Sequence, residues 1–346
     1  FWSEPYTLFT LFAAFYFLLR FRDEGHVGDA TLAGIALGLA VATRVTNATL
    51  VPFFAWYGFS SALRDWRARR GLALFALMLT LTAFSIAWYN WVRYGNPLAT
   101  GYRADETFDN PILLGLYGLL FSPGKGLFVY VPFLAALPWS AAVFYRRARR
   151  ELFLILAILA AYLATFSTWY YWWGGTNWGP RFLVPTMPFL VLLVAPAVEI
   201  AARANSRKKS HSAFAVVFFV LCFSSFVFEL LGISVPSLAY RMRMVRMSVN
   251  PDADAIFLLQ FSPLVGYFNL LKPSALDFAW MRVIGGNVSV DWLVVTLTLA
   301  FTVWCALSLR GAIATKQSPS DLEIASHTCP GGRGQGKPLA MTGLLA

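Results

Sequence analysis

Apolar residues run along this chain in long, nearly unbroken stretches separated by short polar segments. Stretches of this length read as helices that cross a membrane. Nine are legible, at about 5–20, 30–43, 47–63, 71–91, 126–145, 151–170, 181–201, 212–231 and 291–310. Several are shorter than the roughly 20 residues that cross a bilayer upright. The second and third admit an alternative, a re-entrant pair turning at Arg44–Asn47, tolerated only where protein or water covers the backbone. The predicted fold class is all-α: a polytopic transmembrane helix bundle over 1–310, with short interfacial helices in its outer loops. Residues 311–346, with the Gly-rich stretch Pro330–Gly336, read as a disordered cytoplasmic tail.

Charge orients the spans. Arg64–Arg70 (RDWRARR), Arg146–Arg150 (RRARR) and Arg203–Lys209 (RANSRKK) each lie between two apolar stretches, and such loops stay on the cytoplasmic side. With the tail inside, the inner loops are 21–29, 64–70, 146–150 and 202–211. The outer segments are 1–4, 44–46, 92–125, 171–180 and 232–290. Removing one span from the count would put a basic run on the wrong side. Two outer loops are long. The first, 92–125, holds turn signals around a short apolar piece, Ile112–Phe121, that predicts an interfacial helix. The second, 232–290, holds Arg241, Arg243 and Arg246 and the acidic pair Asp252 and Asp254.

Composition agrees. The chain is 58% hydrophobic and 13% charged, against about 25% charged in soluble domains, so much of its surface faces lipid. The net charge of +11 sits in short loops beside spans, which reads as topology and attraction to anionic lipid rather than nucleic-acid binding. Cys222, Cys305 and Cys329 are isolated and carry no metal or disulfide spacing. His26, His211 and His327 fall in inner loops or the tail and build no catalytic or metal cluster. The chain opens on Phe1 without a signal-peptide pattern, the expectation for a fragment lacking its natural amino terminus.

Candidate chemistry gathers on the outer side. Trp169–Arg181 (WYYWWGGTNWGPR) joins aromatics to Gly174, Gly175 and Gly179 at a span edge. It reads as a platform for a sugar or isoprenoid, with Arg181 as a planar phosphate clamp, or more plainly as an aromatic belt. Phe121–Tyr130 (FSPGKGLFVY) places Lys125 in a turn at a helix start, an anion site or simply an interfacial lysine. Arg44, among short apolar segments, is either functional or a snorkelling helix-end residue. Of the outer carboxylates, Asp105 and Glu106 are weak candidates for a general base. Glu4, in Ser3-Glu4-Pro5, serves as well as a helix cap, and Glu229 is unusual within the eighth span.

Ser3-Glu4-Pro5, the run Ala33–Arg44 (AGIALGLAVATR), Gly118–Leu127 (GLLFSPGKGL), Trp172-Trp173-Gly174-Gly175 and Trp178-Gly179-Pro180-Arg181 resemble segments of bacterial C-type (GT-C) membrane glycosyltransferases. These are relatives of the protein O-mannosyltransferases and lipid A aminoarabinose transferases. The resemblance covers about residues 1–290. It implies a polyprenyl-phosphate-linked sugar donor, an outer-face active site in the bacterial inner membrane, and inverting transfer to a lipid, glycan or protein acceptor. The candidates for donor phosphate contacts are Arg44, Lys125 and Arg181, and those for the sugar or lipid wall are Tyr102, Trp172, Trp173, Asn177 and Trp178. The family's catalytic acid is expected upstream of residue 1, so the fragment alone is expected to be inactive. No cofactor is implied, although some relatives of the broader class use divalent cations. The competing readings are a transporter or flippase of a lipid-linked glycan and a non-catalytic membrane subunit.

Overall fold

A computed structural model describes residues 3–60, 65–99, 101–103, 105–202, 209–250 and 252–271, together with Thr296. The chain divides into two units, Phe1–Lys272 and Pro273–Ala346. The described residues fall in the first, apart from Thr296. The ninth predicted span and the tail lie outside them. The described residues are all-helical, with no strand among them.

Helix α1 (Glu4–Glu24) starts with proline in its first turn and stops at Gly25, whose φ of 74° lets its N–H close back onto Phe21. Helix α2 (Val27–Thr43) returns alongside it. Its Gly34 and Gly38 form a small-xxx-small face against α4 (Trp66–Tyr94). A methyl group at Gly38 would lie 2.3 Å from Thr82 Oγ1, so only glycine permits this approach. After α2 the backbone extends at Arg44, passes through a 3-10 turn at Val45–Leu50 and enters α3 (Val51–Phe59). Asn47 closes the end of α2 by donating to Ala40 O at 2.7 Å and accepting from Tyr162 at 2.6 Å. At the other end of this segment Tyr57 donates to Glu151 at 3.0 Å. Residues 45–59 thus run beside α8 (Arg149–Thr168) from Tyr162 to Glu151.

The fifth predicted span is broken into α6 (Leu127–Tyr130), a 3-10 turn at Pro132–Ala136 and α7 (Leu137–Arg147). Pro132, which lacks an N–H, begins the 3-10 turn, and Pro138 sits in the first turn of α7. Helix α9 (Met187–Ala202) follows a 3-10 turn at Arg181–Thr186 and leads to α10 (Lys209–Ser234). Four helical segments are long and apolar enough to cross a membrane: Trp66–Tyr94, Arg149–Thr168, Arg181–Ala202 and Ala213–Ser234. The first and last have only 11% and 17% of their apolar stretch buried within the protein. Their outward faces carry Leu81, Phe84 and Trp88, and Phe219, Val220 and Phe223. Apolar helices with such faces suit a multi-pass membrane protein.

The remaining helices sit at one end of the bundle: α5 (Ile112–Phe121), α11 (Ser237–Arg246), α12 (Asp254–Phe257) and α13 (Pro263–Leu270). The opposite end is tied by Arg22 to Glu151 at 2.8 Å and by Arg147 to Glu199 at 2.6 Å.

Candidate functional site

Three helix ends meet around Glu4, the first residue of α1. Its side chain is only 3% exposed, yet it carries two ion pairs. Arg44, at the end of α2, reaches it at 2.8 Å, and Arg181, at the start of the α9 segment, at 2.7 Å. Arg44 also donates to Ser3 Oγ at 3.2 Å. The extended backbone at Arg44 makes this possible, because continuing α2 would turn the side chain away. Burial opposes ionisation of Glu4. The Arg181 hydrogen bond, the helix-start backbone N–H and the two cations more than offset it, and hold the carboxyl below its ordinary value.

The floor beneath the arginines is aromatic. Phe166 and Phe182 stack at 4.6 Å, and the Arg44 guanidinium lies 5.3 and 5.1 Å from their ring centres. Arg44 Nη1 is buried and has no hydrogen-bond partner among the described residues. A buried, unpaired N–H of a cation is costly unless something accepts it.

Lys125 lies in the turn between α5 and α6. Its ammonium is buried and donates to the carbonyls of Gly175, at 2.7 Å, and Asn177. Asn177 in turn donates to Gly174 O at 2.6 Å. Gly174, Gly175 and Gly179 have φ of 69°, 83° and 57°, so the glycines are what let this loop curl around the lysine. Burial, chiefly, with help from nearby Arg181, pushes Lys125 down to about 7. The lysine therefore fastens the aromatic loop to the α5–α6 turn.

The residues expected to form a sugar or lipid wall take different places. Trp172 is buried, its ring pressed on Gly118 of α5, where a methyl group would lie 2.0 Å away. Trp173 donates to Asp252 at 3.3 Å. Trp178 packs between Tyr130 and Tyr267, with ring centres 5.0 and 4.7 Å away, and its buried Nε1 has no partner among the described residues. Tyr102 is half exposed and meets Trp169 edge-on at 5.7 Å. Asp105 pairs with exposed Arg103 at 3.1 Å. Among the described residues no hydrogen bond or ion pair joins Asp105, Glu106 or Tyr102 to the Glu4 group. No group of three or more His, Cys, Asp or Glu that could hold a metal occurs among them either.

Arg44, Arg181 and Lys125 thus lie at one end of the bundle, the two arginines on one carboxylate. Glu4, an outer carboxylate that the sequence reads equally well as a helix cap, is the hub. Its signal was available: an acidic residue at the mouth of a span, in a chain with an unexplained outer arginine, needs a partner. Comparison with protein-family models, with curated proteins and with solved structures gives no match for this chain.

Proposed function

We propose that this chain belongs to an integral membrane glycosyltransferase that moves a sugar from a polyprenyl-phosphate donor to a lipid, glycan or protein acceptor. In this reading the nine apolar stretches cross the bacterial inner membrane and the Glu4 end of the bundle faces outward. Arg44 and Arg181 meet the donor phosphate, while Lys125 holds the aromatic loop in place beside them. The observation that carries the proposal is the buried Arg44 Nη1 without a hydrogen-bond partner among the described residues, next to a second arginine on the same carboxylate. An incoming phosphate oxygen would satisfy it. The carboxylate keeps both guanidinium groups oriented before the anion arrives, the preorganisation that electrostatic catalysis uses.

The test reads binding and turnover separately. The full-length protein in proteoliposomes is titrated with a short-chain polyprenyl phosphate, and transfer from a polyprenyl-phosphate sugar is followed in parallel. Arg181→Ala and Arg44→Ala should weaken binding at least tenfold and abolish transfer while membrane insertion is retained. Wild-type binding and turnover in both variants would overturn the phosphate role. In the full-length wild type, binding without transfer but with movement of the lipid-linked glycan across the bilayer would favour a flippase.

A further inference from the structure

Helix α11 (Ser237–Arg246) presents an apolar face outward. Tyr240 and Met244, one turn apart, are its buried pair, packed with Val235 and Tyr267. Gly266 lets Tyr240 approach so closely that a methyl group there would meet its ring at 2.3 Å. On the opposite side Leu238, Met242 and Val245 are 62%, 52% and 59% exposed. Their spacing puts them on one stripe of the helix. Arg241 and Arg246 border that stripe on its two edges, and Arg243 lies further round. None of the three side chains makes a hydrogen bond or ion pair with a described residue. A helix facing water would carry its polar residues where this one carries Leu, Met and Val.

Position sharpens the point. α11 follows the end of α10 that carries Gly232, which packs on Trp178 of the aromatic loop. Arg241 is close enough to act electrostatically on Tyr171 of the same loop. This is the Glu4 end of the bundle, opposite the Arg146–Arg150 run, so the three arginines run against the charge asymmetry that orients the spans. α5, at the same end, also exposes apolar residues, Leu113 at 77% and Tyr117 at 49%, but contains no charged residue.

We propose that α11 lies in the outer headgroup layer and selects anionic phospholipids. Leu238, Met242 and Val245 enter the acyl boundary, and Arg241, Arg243 and Arg246 take the lipid phosphates. The inference stands whether or not the chain transfers a sugar. Each arginine near an anionic surface is worth about a fivefold preference.

The probe is placed on the helix itself. In a full chain with Cys222, Cys305 and Cys329 replaced by Ala, a fluorophore is attached through Met242→Cys and the protein is reconstituted in phosphatidylcholine vesicles containing phosphatidylglycerol. Brominated phosphatidylglycerol should quench with at least about fivefold higher apparent affinity than brominated phosphatidylcholine. Replacing all three arginines by Gln should remove that preference but leave quenching by brominated phosphatidylcholine. Replacing all three by Lys should keep it, which separates lost charge from a damaged fold. The same probe at Leu113→Cys on α5 should show no preference. Equal quenching by both lipids with the arginines intact would overturn the proposal. So would quenching by aqueous iodide alone, which would place the stripe in water, or protection from every quencher, which would place it under protein.

Discussion

Replacing Glu4 by Gln removes the one carboxylate that two buried-side guanidinium groups share, and the damage should exceed that of removing either cation. The contacts of 2.8 and 2.7 Å are each worth about 6 kcal/mol of gross attraction at an effective dielectric near 20. Desolvation of a side chain only 3% exposed offsets much of that. What remains on losing the carboxylate is the cost of a broken buried pair, roughly 3–5 kcal/mol. Arg181→Gln leaves Glu4 paired with Arg44 and acts at a side chain that is 27% exposed. Its cost should be about 1.5–3 kcal/mol, the scale of the short charged hydrogen bond from Nε at 2.7 Å, the second, from Nη2 at 3.4 Å, adding little. The double variant should be milder than the sum by about 0.5–3 kcal/mol, because removing Arg181 also removes the repulsion that Glu4→Gln exposes. Equilibrium unfolding of the full chain in mixed micelles, followed by tryptophan fluorescence, measures all three. The acid limb gives a second reading. The folded Glu4 carboxyl sits below its ordinary value of 4.5, so its contribution is complete above that pH and is lost as pH falls through the folded value. Glu4→Gln should flatten that limb. Additive costs, or a Glu4→Gln variant no weaker than Arg181→Gln, would refute the hub.

The buried lysine gives the opposite pH signature: with Lys125 at about 7 when folded and 10.5 as an ordinary lysine, the folded chain holds fewer protons across that window. Stability should therefore rise with pH above about 7, by up to about 1.4 kcal/mol per pH unit, and Lys125→Met should abolish the slope in the same unfolding assay. Gly118→Ala drives a methyl group into the Trp172 ring and should cost about 1–3 kcal/mol. Gly28→Ala, with nothing within 4 Å, should instead leave stability unchanged or raise it slightly; equal costs would remove the close packing from the account. Membrane-impermeant labelling from outside should reach single cysteines replacing Asp105 or Thr176 and spare those replacing Arg67 or Ala148, and the reverse pattern would invert the orientation.

The helices were legible because apolar continuity needs no partner to be read. α1, α2, α4, α8 and α10 fall where the apolar stretches end, with caps at Gly25 and Gly95 marking two of the boundaries. The broken segments were less so. Nothing in the spacing of 126–145 announces a short helix, a 3-10 turn and a second helix, although Pro132 and Pro138 permit it. Arg44 and Arg181 were legible as odd cations at span edges, but their meeting was not, since they lie 137 residues apart and meet only through a third residue. Lys125 shows the limit of reading a residue by type. A lysine in a Gly-rich turn suggests an anion, and only the fold reveals that two carbonyls of another loop occupy its ammonium.

A transferase and a carrier need charge in different places. A carrier needs ionisable groups along its path, near the middle of its helices. Between Glu4 and Arg20 on α1, Asp29 and Arg44 on α2, and Glu151 and the end of α8, no ionisable acid or base interrupts the helix apart from tyrosine. Glu4 and Arg20 are sixteen residues apart, about 24 Å along a helix. Charge on α1 and α2 therefore forms two layers, and the aromatic loop, Lys125 and the two arginines all belong to one of them. Glu229 does not change this. It lines an apolar groove with Val131, Phe133, Val194 and Phe226, but it sits only five residues from the end of α10 on the Glu4 side. In the proposed reading, a lipid-linked headgroup arriving at that layer would meet these cations without crossing the apolar interior.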